Sequence, residues 1–229
     1  MSGSGEKLRL EKKHPLAIRW FHWINFPVMS IMVWSGLLIY WATGYYSITL
    51  GGRTYFTFFP TRFYEVFSLD KRLAEGMGWH FFFAWIFAIN GLLYVLFLLV
   101  SGEWRYLFPN RNSVKEAILV VLHDMFLTKK TPPRRKFNGA QQFAYTSIVL
   151  LGLMELLTGV AIYKPMQFSR LTGLLGGYEF ARILHFVFML AFVAFFLVHV
   201  MQVVRAGWNN FRAMVTGFEL APVEETPNV

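Results

Sequence analysis

Residues 178–205 read YEFARILHFVFMLAFVAFFLVHVMQVVR, an apolar run holding two histidines, His185 and His199, fourteen positions apart. At about 100° per residue, fourteen steps bring the second imidazole back to within roughly 40° of the first. At about 1.5 Å per residue, the two stand about 21 Å apart along the helix. A bilayer core is about 30 Å thick, so each histidine falls near an opposite leaflet. One membrane helix therefore presents two metal-ligand side chains on one face, at two depths. Two unrelated histidines snorkelling to opposite interfaces would show the same spacing, so the other histidines decide between the readings.

The class of the protein follows from composition. Hydrophobic residues make up 55% of the chain and charged residues only 15%, against about 25% charged in a soluble domain. The apolar runs are continuous over twenty or more residues and do not alternate, which selects spanning helices over a closed barrel. The chain has no cysteine. That excludes disulfides, cysteine-ligated iron–sulfur clusters and covalently attached c-type haem. The net charge of +9 has a topological explanation, since Lys and Arg gather on the cytoplasmic side of membrane proteins. No separate basic-aromatic surface points to nucleic acid, and none is expected as a partner.

Four spans are expected, at about 16–42, 78–100, 141–162 and 179–205. This predicts an all-α integral membrane protein, a four-transmembrane-helix bundle forming one domain over 1–229. No internal repeat is visible. A cleavable signal peptide is not expected, because the first apolar stretch is too long and lacks a small-residue cleavage pattern. The N-terminal arm, the loop between spans two and three, and the segment after span four carry 15 of the 22 basic residues. That side is assigned to the cytoplasm, with both termini inside. The aromatic, Gly-rich segment 43–77 and the connection 163–178 then face outward. Residues 113–127, SVKEAILVVLHDMFL, read as an amphipathic helix on the inner membrane surface, followed by a basic turn, TKKTPPRRK, at 128–136.

The six histidines separate by depth. His22, in RWFHWIN, lies near the inner end of span one, and His80, in GMGWHFFFAW, near the outer end of span two. Span four starts outside, which puts His185 at the outer level and His199 at the inner. The depths pair His22 with His199 and His80 with His185. Each pair can hold one haem iron between two neutral imidazoles, an arrangement suited to electron transfer with little change of geometry. Four metal-binding groups inside spans, at two matching depths, are read as functional. His14, beside Pro15 in the basic arm, and His123, on the surface helix, are read as ordinary.

Small and charged residues supply candidates around these sites. Gly36 lies fourteen positions after His22 and Gly91 eleven after His80, spacings that return to the histidine face and leave room for a flat macrocycle. Ordinary close packing through Gly gives the same pattern. Arg19 and Arg205 inside, and Arg182 outside, are placed to neutralise haem propionates or simply to anchor at the interface. Glu155, in LLGLMELLTG, is a carboxylate deep inside a span, where it is costly unless neutral or paired. A hydrogen bond to a neighbouring helix is preferred to a role in proton movement.

With these residues in view, the chain resembles the bacterial di-haem cytochrome b superfamily. That superfamily serves nickel–iron hydrogenases, formate dehydrogenases (as gamma subunits) and thiosulfate reductases. The resemblance covers about residues 14–212 and is carried by HPLAIRWFHWIN (14–25), His80, RKFNGAQQ (135–142) and the His185/His199 pair. It implies two haem b groups and a quinone site (menaquinone or ubiquinone) beside the inner haem, built from Asn138, Gly139, Gln141 and Gln142. From the residues alone, the same cluster reads first as a helix start with interfacial glutamines. The resemblance further implies a multi-pass protein of the bacterial inner membrane. It would pass electrons between the quinone pool and a periplasmic redox subunit of hydrogenase, formate dehydrogenase or molybdenum oxidoreductase type. Two rival readings are a stand-alone oxidase similar to the four-helix superoxide:quinone oxidoreductases, and a haem-free anchor or transporter. The length of segment 43–77 favours a docked partner over the first. The absence of a broken-helix pair or inverted repeat disfavours the second.

Overall fold

The computed structural model describes residues 8–124, 127–130 and 137–222. The described elements run β1 (Leu8–Lys12), α1 (Leu16–Tyr40), a 3-10 turn (Trp41–Thr43), β2 (Ser47–Leu50), β3 (Arg53–Thr57) and α2 (Thr61–Phe67). They continue with α3 (Leu73–Ser101), α4 (Trp104–Leu107), α5 (Ser113–Asp124), α6 (Gly139–Tyr163), α7 (Ser169–Leu174), α8 (Tyr178–Ala206), α9 (Trp208–Thr216) and β4 (Phe218–Pro222). Among the described residues, four helices are long and apolar enough to cross a membrane: α1 with its 3-10 turn, α3, α6 and α8. Each expected span range falls inside one of these helices. Span two begins earlier, because the first turn of α3 is a polar extension where Arg72 donates to Glu75 at 2.6 and 2.8 Å. The strands add two short ribbons outside the spans. Of the expected surface helix, 113–124 is helical; the remainder of its range at 125–126, and 131–136 of the basic turn, lie outside the described residues.

Much of each spanning helix faces outward with apolar side chains, such as Trp85, Val100 and Leu197, all exposed. Backbone hydrogen bonds inside each helix leave no polar main-chain group to lipid, which is what allows such surfaces to be apolar. The chain divides into two compact units, Trp20–Leu93, and Met1–Arg19 together with Tyr94–Val229.

In the unit Trp20–Leu93, Gly76 of α3 sits directly against α1. A Cβ there would fall 2.7 Å from Leu38 Cβ and 3.0 Å from the Ser35 carbonyl oxygen. Deeper in the spans, the buried Asn90 amide donates to Asn25 Oδ1 at 2.8 Å and to the Phe21 carbonyl at 3.2 Å. Segment 43–77 forms its own small core. The Gly51–Gly52 turn has positive φ at both positions (56° and 78°), as a two-residue hairpin turn between right-twisted strands requires. It joins β2 to β3 in antiparallel register. Beside the hairpin, Tyr64 of α2 is fully buried and stacks on Tyr45 at 5.9 Å, with Tyr40, Tyr46, Phe59 and Phe63 clustered around.

In the other unit, α6 opens with a reciprocal capping box. Asn138 Oδ1 accepts from the Gln141 N–H at 2.9 Å, and Gln141 Oε1 accepts from the Asn138 N–H at 3.0 Å. This satisfies two of the four amide donors that a helix start leaves over. Helix α5 packs on the same turn of α6, where Gly139 touches the Ser113 carbonyl oxygen so closely that a side chain would not fit. Helix α8 is bracketed by Gly177 (φ 96°) and Gly207 (φ 82°). After α9, Gly217 turns the chain into β4, which pairs antiparallel with β1 from Leu8↔Pro222 to Lys12↔Phe218. Lys13 binds Glu219 at 2.6 Å, and Arg19 donates to the Val215 carbonyl. The segment Leu8–Arg19 is thus tied to Val215–Pro222.

Candidate functional site

His80 projects from α3 with its Nδ1 at 3.0 Å from Ser35 Oγ of α1. Ser35 is fully buried, and its Oγ also lies 3.2 Å from the Met32 carbonyl oxygen. A hydroxyl has one hydrogen to give, and a carbonyl can only accept. With its hydrogen given to Met32, the Ser35 oxygen can accept from His80. That is the arrangement that a ring protonated on Nδ1 and ligating a metal through Nε2 requires. Gly36, beside Ser35, lies under the ring: a Cβ there would be 3.5 Å from His80 Cε1.

The other unit repeats this arrangement. His185 of α8 has Nδ1 2.9 Å from Thr158 Oγ1 of α6, and the fully buried Thr158 donates to the Met154 carbonyl at 2.7 Å. Gly159 follows, with a Cβ position 3.4 Å from His185 Cε1. A second acceptor joins here, since Glu155 Oε2 lies 2.7 Å from the same Nδ1. Both partners of that nitrogen are acceptors, so His185 too is held as the Nδ1–H tautomer. Ser35–Gly36 and Thr158–Gly159 are thus two hydroxyl–glycine cradles, each fixing an imidazole with its Nε2 lone pair available to a metal.

His199 lies on the same unbroken helix as His185, at an axial rise of about 21 Å, with Phe195 parallel to its ring at 6.1 Å. His22 lies in the first third of α1, with Trp23 edge-on at 5.1 Å. Among the described residues, no three His, Asp or Glu side chains converge as they would around a bare ion. A porphyrin iron asks the protein for axial ligands only. Imidazoles preset as Nδ1–H tautomers beside small residues fit a haem.

The remaining expected residues fall as follows. Gly36, expected on spacing from His22, meets the ring of His80. No heavy atom lies within 4 Å of a Cβ position at Gly91. Arg182 pairs with Glu179 at 3.1 Å and lies over the Tyr178 ring. Arg19 ties the start of α1 to α9, and Arg205 occupies the last turn of α8. Gln142 braces two segments, accepting from Ser113 Oγ at 2.6 Å and donating to the Tyr106 carbonyl at 2.9 Å. The Asn138–Gln141 box uses both side-chain oxygens; the two amide nitrogens take no part in it. His14 is half-buried at the join of β1 and α1; burial, then the Lys13 ammonium, lowers its pKa. His123 ends α5. Sequence reasoning missed Ser35, Thr158 and Gly159, although a hydroxyl followed by glycine inside an apolar run is a readable signal.

A family profile described as prokaryotic cytochrome b561 covers residues 13–217. The chain belongs to that family. It is a multi-pass prokaryotic membrane protein, and the family implies bound haem b and electron transfer. It is also similar to a protein of Azospira oryzae named "Putative protein-methionine-sulfoxide reductase subunit YedZ1". The two are 34% identical over 191 residues, spanning 83% of this chain and 89% of that protein.

Proposed function

We propose that this cytochrome b561-family protein is a di-haem subunit linking the quinone pool to a periplasmic oxidoreductase. The observation that carries the reading is the matched pair of hydroxyl–glycine cradles at His80 and His185, 3.0 and 2.9 Å from the two Nδ1 atoms. In this reading, His80 and His185 hold the outer haem b, and His22 and His199 the inner one. Bound haem supplies one-electron Fe(III)/Fe(II) chemistry. Two neutral imidazoles would suit that group to electron transfer more than to oxygen chemistry.

The chain's own residues do the rest. Ser35, Thr158 and Glu155 fix ring orientation and tautomer, while Gly36 and Gly159 keep bulk away from the rings. Arg19, Arg182 and Arg205 remain candidates for propionate charge, and Gly91 for haem packing. A quinone would be bound at the start of α6, where the side-chain amide nitrogens of Asn138 and Gln141, outside the capping box, are donors to its carbonyls. Gln142 holds the neighbouring loop. The name of the Azospira relative favours a reductase of sulfoxides as the periplasmic partner. The balance is then simple: a quinol gives two electrons and two protons, and a sulfoxide takes two of each to become thioether and water. With inner-membrane placement and cytoplasmic termini, the quinone site lies inside and the aromatic 43–77 segment outside, facing the partner.

The test is a haem count with a reduced-minus-oxidised spectrum of the purified protein. Two b-type haems are expected, and His80→Ala or His185→Ala should each remove the same one. A colourless preparation overturns the reading, and loss of both haems or neither overturns the pairing. Reduction by superoxide without any partner would favour the stand-alone oxidase instead.

A further inference from the structure

The two cradles are alike except at one position. In α6, Glu155, Thr158 and Gly159 stand at i, i+3 and i+4, one face of a helix. In α1 the same register is filled by Met32, Ser35 and Gly36. His80 therefore meets a neutral hydroxyl at its Nδ1, whereas His185 meets a hydroxyl and a carboxylate, at 2.9 and 2.7 Å. The Glu155 side chain is 12% exposed, in the middle of a spanning helix, where an acid is expensive unless paired. Its pairing is the imidazole itself.

We infer that Glu155 is a positioning residue that sets the reduction potential of the haem held by His185. This rests on the di-haem reading above. A carboxylate accepting the Nδ1–H of a metal-bound histidine fixes the ring and raises the basicity of its other nitrogen. A more basic, more anionic ligand stabilises Fe(III) over Fe(II), because the ferric centre carries one more positive charge. The haem at His185 is thereby made the better electron donor. By sequence, the only other acids in the spanning helices, Glu75 and Glu179, sit in first turns at helix ends. Glu155 thus acts on the haem at His185 through the imidazole, without touching iron.

The test uses the full-length holoprotein. Glu155→Gln keeps the shape and an acceptor oxygen while removing the charge. Redox titration should show one haem easier to reduce, by about tenfold or more in its reduced-to-oxidised ratio at fixed potential (about 59 mV for one electron), with the other unmoved. The low-spin ferric spectrum of the same haem should shift with it. Glu155→Asp, which retains the charge, should lie between Gln and the parent. Two haems with unchanged potentials in Glu155→Gln, or equal shifts in both, overturn the inference while leaving the di-haem reading intact. If Glu155→Gln loses the outer haem, Glu155→Asp must restore it at a potential nearer the parent's, and failure to do so overturns the inference. A parent protein with no haem overturns the underlying reading instead.

Discussion

Thr158 Oγ1 stands 2.9 Å from Nδ1 of His185 while giving its own hydrogen to the Met154 carbonyl at 2.7 Å. With that proton given to the carbonyl, the hydroxyl oxygen can accept from a ring on another helix. Ser35 does the same for His80. Two units of the chain reach the same solution with different residues, Ser in one and Thr in the other. The rings are oriented before any cofactor arrives, which lowers the ordering cost of holding one.

The hydroxyls should therefore matter to retention. In Ser35→Ala the Nδ1–H of His80 loses an acceptor in an apolar interior, a loss of about 1–3 kcal/mol. Haem should leave this variant roughly tenfold faster or more. Thr158→Val, in which Glu155 still accepts from His185, should lose only about 0.5–1.5 kcal/mol. Transfer of haem to an excess of acceptor apoprotein, timed by absorbance, measures both. Rates equal to the parent's in Ser35→Ala would remove the cradle from the account.

The glycines are the second half of each cradle. A Cβ at Gly159 already lies in contact with His185 at 3.4 Å, so Gly159→Val places two further methyl groups where the ring stands. One haem should be lost and the other kept, which a pyridine haemochrome count reads directly. Gly76 acts one step earlier. Its Cβ position is 2.7 Å from Leu38 and 3.0 Å from the Ser35 carbonyl, so Gly76→Ala must push α1 and α3 apart. Overpacking of this kind costs about 1–3 kcal/mol. A lowered melting temperature together with loss of haem is expected, and a stable, fully loaded Gly76→Ala would contradict the packing.

The clasp between the chain ends should respond to pH. Burial, and then Lys13, lower the pKa of His14 from 6.5 in the folded protein. A histidine with a depressed folded pKa binds its proton more readily when unfolded. Its contribution to stability is therefore present above about 6.5 and is lost as pH falls from there toward the folded value. Amide protection in Leu8–Lys12 and Phe218–Pro222, taken relative to the intrinsic exchange rate at each pH, should fall between pH 7 and pH 5. His14→Gln should flatten that dependence, and an unchanged slope would exclude His14 as its source.

Much of this was legible in the sequence. The four spans follow from unbroken apolar runs, and the capping box from Asn138 standing three residues before Gln141. The histidine spacing on α8 needs only helical geometry. The cradles were harder to see, because they join residues 45 and 27 positions apart and depend on which side chains two packed helices bring together. Spacing along α1 linked Gly36 to His22, whereas the structure sets it under His80. A face of a helix can be read from its period; its neighbour cannot. The outward ribbon escaped for another reason. Its strands are short and exposed, so they carry no alternation of buried and exposed residues to read.

Asn138 is the residue whose two roles are easiest to separate. Its oxygen caps α6 at 2.9 Å from the Gln141 N–H, and its amide nitrogen is the proposed donor to a quinone carbonyl. Asn138→Ser keeps a capping oxygen, at a cost of at most a few tenths of a kcal/mol, whereas Asn138→Ala loses the cap, at about 1 kcal/mol. If the amide binds quinone, both variants should slow quinol-driven haem reduction about tenfold, as loss of a ~1.4 kcal/mol hydrogen bond requires. Only Asn138→Ala should also melt earlier. Gln142→Ala gives the contrast, since both ends of that side chain are committed to Ser113 and Tyr106. It should loosen the fold at α4 and α5 while leaving quinol reduction close to the parent rate. If slowing tracked melting temperature across all three variants, Asn138 would be a helix cap and nothing more, and the quinone would have to bind elsewhere.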